Sequence, residues 1–265
     1  MRSARSLALA LAIATLAGCG PRLATPPGGA PEDRIARYRT LVSERQARAV
    51  AMSASASLWV EREGERMPGA QAELRIAAPD RMRLRLFAAF GTAFDLGLYG
   101  DSLRAYVPGW KRGLWLDSAS DSLGLEAPAD RMVRAFSATW QPPEEVWSRA
   151  VWRDSLLRVS WKEANDSLSV AIGANGLPAL AEVALAEGPL LRVRYRAWDY
   201  SSGHAWPSHI ELEDQEHDVR MSLRATQIRF APKPDEERLA VRWPPGTTTV
   251  TLTELRAVLG RLGFL

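Results

Sequence analysis

The chain has 265 residues, 46% hydrophobic and 25% charged, an ordinary globular balance that allows one large β domain or two small ones. Its formal charge of +3 falls to about +1 without Arg2 and Arg5 of the leader, which gives no basis for a nucleic-acid partner. A single cysteine excludes a disulfide within the chain, so the fold must stand on its core.

Arg2 and Arg5 form a positive n-region, and Leu7 to Leu16 form an apolar run too short to span a bilayer as a helix but suited to a secretory signal. The run ends in Leu16-Ala17-Gly18-Cys19, which resembles the bacterial lipoprotein box. That resemblance implies a signal peptide over 1–18, cleavage before Cys19, and acylation of the cysteine at its sulfur and its amine. The alternative is a plain cleaved signal with a chance cysteine. Several acyl chains, at about 0.8 kcal/mol per buried methylene, make a stable membrane anchor where one would be marginal. By likeness to sorting signals in which Asp after the cysteine favours the inner membrane, Gly20 points to the outer membrane, periplasmic face. With the lipidated Cys19, the Pro- and Gly-rich stretch to 31 forms a flexible tether, reaching on the order of 37 Å at most.

From 32 to about 51, Ile35, Tyr38, Leu41 and Val42 recur at helical spacing behind Glu32 and Asp33, which predicts an amphipathic packing helix. Strands follow. Leu58 and Val60 mark the first and Ala70 to Ile76 the second. In the third, Met82, Leu84 and Leu86 alternate with Arg81, Arg83 and Arg85, and in the fourth Phe94, Leu96 and Leu98 alternate with Asp95, Gly97 and Tyr99. The connector from Phe87 to Phe94 (FAAFGTAF) is unusually apolar for a hairpin loop, with Phe90 at its tip. Strands near 103–107 and 114–116 complete a meander. The period then changes: 129–140 and 143–152 predict two short helices, with Met132, Val133, Phe136, Val146, Trp147 and Val151 turned to a sheet. Strands resume at 157–161, 168–172, 181–185, 191–197, 210–212, 219–223 and 228–230, with an Asn175-Gly176 hairpin signal among them. Residues 251–265 place Leu252, Leu255, Val258, Leu259 and Leu262 on one helical face of an amphipathic tail. The expectation is one α+β domain, mainly antiparallel, with about a dozen strands and three or four helices.

Catalytic chemistry has no address here. There is no nucleophile elbow and no Gly-rich phosphate loop, and Glu144-Glu145 sits where it favours a helix dipole. A metal site from His209, Glu211 and His217 is conceivable, but without tight ligand spacing these residues, like His204, read as solvated surface. No catalytic residue, metal or cofactor is expected. What remains is apolar area: helices making about a fifth of the chain must cover a sheet of about twelve strands. A curved sheet only partly filled would leave a concave groove suited to acyl chains; the alternative is that the apolar faces make a closed core.

Gly69 to Leu84, the stretch DLGLYGDSLRAYVPGW from Asp95 to Trp110, Asn175-Gly176-Leu177-Pro178, Tyr195 to Leu212, Ile228-Arg229-Phe230 and Trp243-Pro244-Pro245-Gly246 together resemble the LolA/LolB group of periplasmic lipoprotein carriers and outer-membrane receptors. The resemblance runs over 32–250 and leaves the tail at 251–265 outside it. It implies an unclosed, half β-barrel with helices lidding its concave side and a cavity for acyl chains or lipoprotein cargo. Leu74, Ile76, Met82, Leu84, Leu86, Phe94, Leu96 and Leu98 would be among its lining. Anchoring at Cys19 makes the chain more like the receptor, with a periplasmic carrier protein as possible partner. Phe87 and Phe90 would form a loop touching membrane or cargo. The other reading is a scaffold lipoprotein with a filled core that docks protein partners.

Overall fold

Fifteen strands join in a single sheet, and all neighbours but one pair are antiparallel. The computed structural model describes residues 31–48, 51–89, 91–100, 102–117, 129–185, 190–201, 203, 205–215 and 218–261. The leader, Cys19, Phe90, His204, His217 and Leu262 lie outside them. Helix α1 (Pro31–Arg48) leads into β1 (Ala51–Arg62), β2 (Glu65–Arg66), β3 (Ala70–Ala77), β4 (Arg81–Ala88), β5 (Gly91–Tyr99), β6 (Ser102–Val107) and β7 (Arg112–Asp117). Helix α2 (Ala129–Ser137) and a 3-10 turn (Glu144–Arg149) precede β8 (Val151–Arg153), β9 (Leu156–Glu163), β10 (Asp166–Ile172), β11 (Pro178–Ala184), β12 (Leu190–Asp199), β13 (Trp206–Asp214) and β14 (Val219–Ala231). Helix α3 (Glu236–Leu239), β15 (Thr248–Thr249) and helix α4 (Leu252–Arg261) end the chain.

The sheet order is β15-β7-β6-β5-β4-β3-β1-β14-β13-β12-β11-β10-β9-β8, with β2 beside β1. Two meanders are therefore joined at the centre by β1 and β14, and the sheet does not close. Its two edge strands are two and three residues long, which leaves little free ladder for another chain to pair with.

The expected strand series is present, and β2, β8 and β15 are the short additions to the dozen read from the sequence. Four boundaries differ. The expected first helix stops at Arg48, and β1 starts at Ala51 rather than near Leu58. Met52, Ala54, Ala56 and Leu58 are buried while serines alternate with them, a period of two carried by side chains too small to register as a hydrophobic run. The expected helix over 143–152 is only the 3-10 turn, because Val151 enters the edge strand β8 and is 60% exposed. Strands expected at 219–223 and 228–230 are one strand, β14. Gln227 takes a left-handed φ of 51° opposite a register shift in β1, and this bulge flips the parity so that Leu223, Ala225 and Ile228 all face inward. The fourth is the apolar connector: β4 runs to Ala88 and β5 starts at Gly91, so the connection is shorter than Phe87–Phe94, and Phe94 keeps the strand place that its alternation with Leu96 and Leu98 predicts.

After β14 the chain crosses the outer face of β4–β7 as a strap. Arg83 Nη1 donates to the Arg238 carbonyl at 2.8 Å, and Tyr99 Oη donates to the Leu239 carbonyl at 2.7 Å while accepting from the Val241 N–H at 2.6 Å. Leu239 and Val241 are buried beneath it. Two glycines let the strap lie close: a Cβ at Gly97 would sit 2.3 Å from Tyr99 Oη, and one at Gly113 would sit 2.7 Å from the Trp243 indole. The strap then adds β15 parallel to β7 and turns at Thr251, whose hydroxyl and N–H exchange hydrogen bonds with Glu254 as a capping box for α4. Leu255 returns from α4 to the inner core. Gly113→Ala is expected to cost about 1–3 kcal/mol in urea unfolding by lifting Trp243, and Trp243→Ala in that background should recover part of the loss; an unchanged midpoint for the single variant would contradict the strap geometry.

Candidate functional site

The inner face is built from cross-strand rows. Ile76 pairs with Met82 and Met82 with Leu98; Leu74 pairs with Leu84 and Leu84 with Leu96; Leu86 pairs with Phe94. Every one of the eight expected lining residues therefore lies on one continuous wall of β3, β4 and β5. Leu74 and Met82 are fully buried and Phe94 is 9% exposed, while Leu96 packs on this core half-buried. Burial of such a side chain is worth about 1.5–3 kcal/mol whatever apolar group covers it.

The cover is α2. Its backbone approaches both β4 and β13, which are four strand spacings apart in the sheet order. Those strands belong to the two different meanders, and α2, about 13 Å long, spans the inner face between them. Val133 and Phe136 are buried on it. Ala138, at a left-handed φ of 55°, turns the chain after the helix, and Trp140 follows into the core at 2% exposure. There the Trp140 Nε1–H donates to Tyr195 Oη at 2.7 Å, and Tyr195 Oη donates in turn to the Ala135 carbonyl at 2.8 Å. One phenol thus fixes both the end of α2 and the segment after it. Arg131, 4% exposed, forms an ion pair with Asp166 and donates from Nη2 to the Glu163 carbonyl at 3.2 Å. Arg134 pairs with Glu163 at 3.0 Å.

The second cover is α1 with the 3-10 turn. Tyr38 stacks on Trp152 with centroids 5.9 Å apart, Arg39 pairs with Glu144, and Leu41 rests on the hairpin at Gly176. Val146 and Trp147 complete the buried contact from the 3-10 turn.

The alternating arginines occupy the outer face as ion-paired rows. Arg83 binds Asp95 through two hydrogen bonds of 2.8 and 2.6 Å, which hold its guanidinium more firmly protonated than an isolated arginine. Arg192, Arg194 and Arg196 face Glu182, Glu213 and Glu211; the Arg194 hydrogen bond, with Arg220 behind it, holds the Glu213 carboxyl below its usual range against the opposing effect of burial. Phe87 lies on this face too, 5.3 Å under the Arg85 guanidinium, in a shallow hollow of about 400 Å³ shared with Gln71, Arg75 and Gln227. Its side chain is therefore not part of a projecting loop. His209 sits on the same face beside Ser222 at 3.1 Å and Glu211 at 3.7 Å. Burial, then the neighbouring Arg224, push its pKa down, with Glu211 opposing. Among the described residues no three His, Cys, Asp or Glu side chains gather to hold a metal.

Sequence reasoning placed the wall but missed the clamp. Tyr195 reads as an inward strand residue, and nothing in the sequence shows that its hydroxyl meets Trp140 across 55 residues.

No family model matches the sequence, and no curated relative does. Solved structures do. A LolA superfamily protein from Nitrosomonas europaea superposes with a TM-score of 0.55 at 13% identity, covering 77% of this chain and 97% of that one. The fold is that of the LolA/LolB group. A structure described as an outer membrane lipoprotein-sorting protein domain, from Vibrio parahaemolyticus, gives 0.52 at 12% identity over 77% of this chain and 97% of its own. A DUF1329 family protein from Desulfovibrio piger gives 0.54 at 7% over 78% and 97%. The LolA/LolB-like half-barrel expected from the sequence is thus observed, with α2 in its hollow.

Tyr195→Phe removes the hydroxyl that bonds both the Trp140 indole N–H and the Ala135 carbonyl and is expected to cost about 1–3 kcal/mol in denaturant unfolding; an unchanged midpoint would show that the clamp does not hold α2. A pH effect follows from Glu163. Burial raises its pKa, but the Arg134 hydrogen bond and charge, aided by Trp161 and Arg131, outweigh this and leave it lowered from 4.5. A lowered folded value means that this contribution is fully present above the unfolded pKa and is lost as pH falls through the folded one. Near-ultraviolet circular dichroism from the buried tryptophans should weaken on acidification below 4.5, and Glu163→Gln should flatten that change. An identical acid profile in the variant would remove Glu163 from the lid's attachment.

Proposed function

We propose that this chain is a lipid-anchored protein of the bacterial envelope that takes acyl chains, free or carried on a lipoprotein, between the β3–β5 wall and the α2 lid. The observation that carries the reading is the continuous apolar wall of Leu74, Ile76, Met82, Leu84, Leu86, Phe94, Leu96 and Leu98, approached at β4 by a single nine-residue helix. A short helix tied down by one phenol and two arginines is a removable cover: lifting it exposes methyl groups suited to a fatty chain and leaves the sheet ladder unbroken. The fold shared with a lipoprotein-sorting protein domain supports the same reading. A lipoprotein-box leader ending at Cys19 supports anchoring, and Gly20 supports the outer membrane as its site. In this reading the protein has a receptor or transfer role, with no catalytic residue, and a periplasmic carrier would deliver its cargo. Phe90, between β4 and β5 in the sequence, would touch membrane or cargo in this reading.

The low exposure of the wall favours a second reading, a scaffold lipoprotein whose interior is filled by α2 and which docks partners on its outer face. Native mass spectrometry of the chain extracted from its envelope separates the two. Transfer predicts bound species differing by methylene units, with Cys19 itself carrying acyl groups and Cys19→Ser released from the membrane fraction. A bare protein mass across all preparations would contradict acyl binding and favour the scaffold.

A further inference from the structure

Strand registers place two hairpins at the same end of the N-terminal half of the sheet. Ala88 pairs with Gly91 at the end of β4–β5, and Val107 pairs with Arg112 at the end of β6–β7. The Pro108–Trp110 turn lies beside β5, so the two tips are neighbours. Around the two tips, Ala88–Ala89, Gly91–Thr92 and Val107–Arg112 contain no acidic residue. They present exposed Ala88 and Ala89, Trp110 at 39% exposure, exposed Lys111 and half-buried Arg112. Lys111 has no ion-pair partner among the described residues, and Arg112 acts on Glu254 only through its field. Farther along the same end the charges are mixed: Glu61, Glu63 and Glu65 lie on the β1–β2 hairpin, and Glu213, paired with Arg192, Arg194 and Arg220, lines a groove of about 450 Å³ with Glu61, Asp214 and Asp218.

An indole at a turn tip beside small apolar residues and unpaired cations fits the headgroup layer of an anionic bilayer, where the ring sits among the glycerol groups and the ammonium meets phosphate. We infer that the β6–β7 tip, through Trp110 and Lys111, is a membrane contact specific for anionic phospholipid, which tilts this edge of the sheet, and not the acidic β1–β2 hairpin, toward the bilayer. The inference rests on the envelope-anchored reading but uses residues remote from Cys19 and from the wall. It also separates Trp110 from Trp115. Trp115 is more exposed, at 51%, yet it lies on the outer face of β7 with the Arg104 guanidinium stacked 4.0 Å over its ring, and it stays out of the bilayer.

The test uses the full chain extracted from its envelope and reconstituted into vesicles of phosphatidylethanolamine and brominated phosphatidylglycerol, with quenching of tryptophan emission as readout. Wild type and Trp115→Ser should be quenched alike. Trp110→Ser should lose roughly half of that quenching, and Lys111→Glu should match it. High salt or replacement of the anionic lipid by phosphatidylcholine should shrink the difference. Equal quenching of wild type and Trp110→Ser overturns the inference, as does self-association lost in Trp110→Ser without any change in quenching, which would give the tip to a second copy of the chain. Thermal unfolding of the variants serves as control, since an exposed side chain contributes little to it. Failure of the anchoring reading is seen separately, as a Cys19 without acyl mass, and quenching after simple mixing with the vesicles would still decide the tip.

Discussion

Everything in this molecule depends on α2 lying in the curl of the sheet. A sheet of this width does not stay flat, because each strand is rotated on its neighbour by the right-handed twist. A helix that lies near β4 and β13 together joins the inner faces of the two meanders. Non-directional burial of Val133 and Phe136 supplies most of the attraction. Where the helix sits along the hollow is set by directional contacts: Tyr195 to Ala135 and Trp140, and Arg131 and Arg134 to the end of β9. Arg131 is nearly fully buried, so losing Asp166 would leave an uncompensated charge. These few polar contacts decide the position of the lid, while the wall beneath is indifferent to what covers it.

The outer face is organised by a different rule. Rows of arginine and carboxylate satisfy one another across strands, which keeps the convex surface wet and unattractive to a second sheet. The strap is the exception. It buries Leu239 and Val241 on that polar face by approaching the backbone at Gly97 and Gly113, and it ends by adding a strand to one edge and sending Leu255 back into the core. The tail helix, which lay outside the family resemblance, is thus tied to the fold at both of its surfaces. Nothing about this arrangement requires closure of the barrel, because the free edges are too short to invite pairing.

Much of the wall was legible in the sequence because alternation of leucine and arginine over Arg81–Leu86 admits one orientation once one face is buried. The resemblance to the LolA/LolB group ordered these strands into a half-barrel. The failures have physical causes. In β1, alanine and serine alternate with too little hydrophobic contrast to outline a strand. The segment 143–152 carries helix-like apolar spacing, but Val151 pairs into the sheet edge after only a 3-10 turn. The connector FAAFGTAF reads as a loop because its apolar residues fall on both faces: Phe87 keeps the outward place of Arg83 and Arg85, Leu86 and Phe94 stay in the wall, and the extra residue Ala93 makes a bulge in β5. The Tyr195–Trp140 contact and the docking of Trp243 on Gly113 join distant parts of the chain, and no local pattern encodes them.

The central claim is that α2 is a displaceable lid over a wall that prefers acyl chains. Hydrogen–deuterium exchange with and without a single-chain phosphatidylglycerol below its micellar concentration tests it most directly. The account predicts faster exchange across residues 131–140 when the lipid is present, with β4 and β5 amides equally or better protected. Unchanged exchange in both regions at saturating lipid would contradict it.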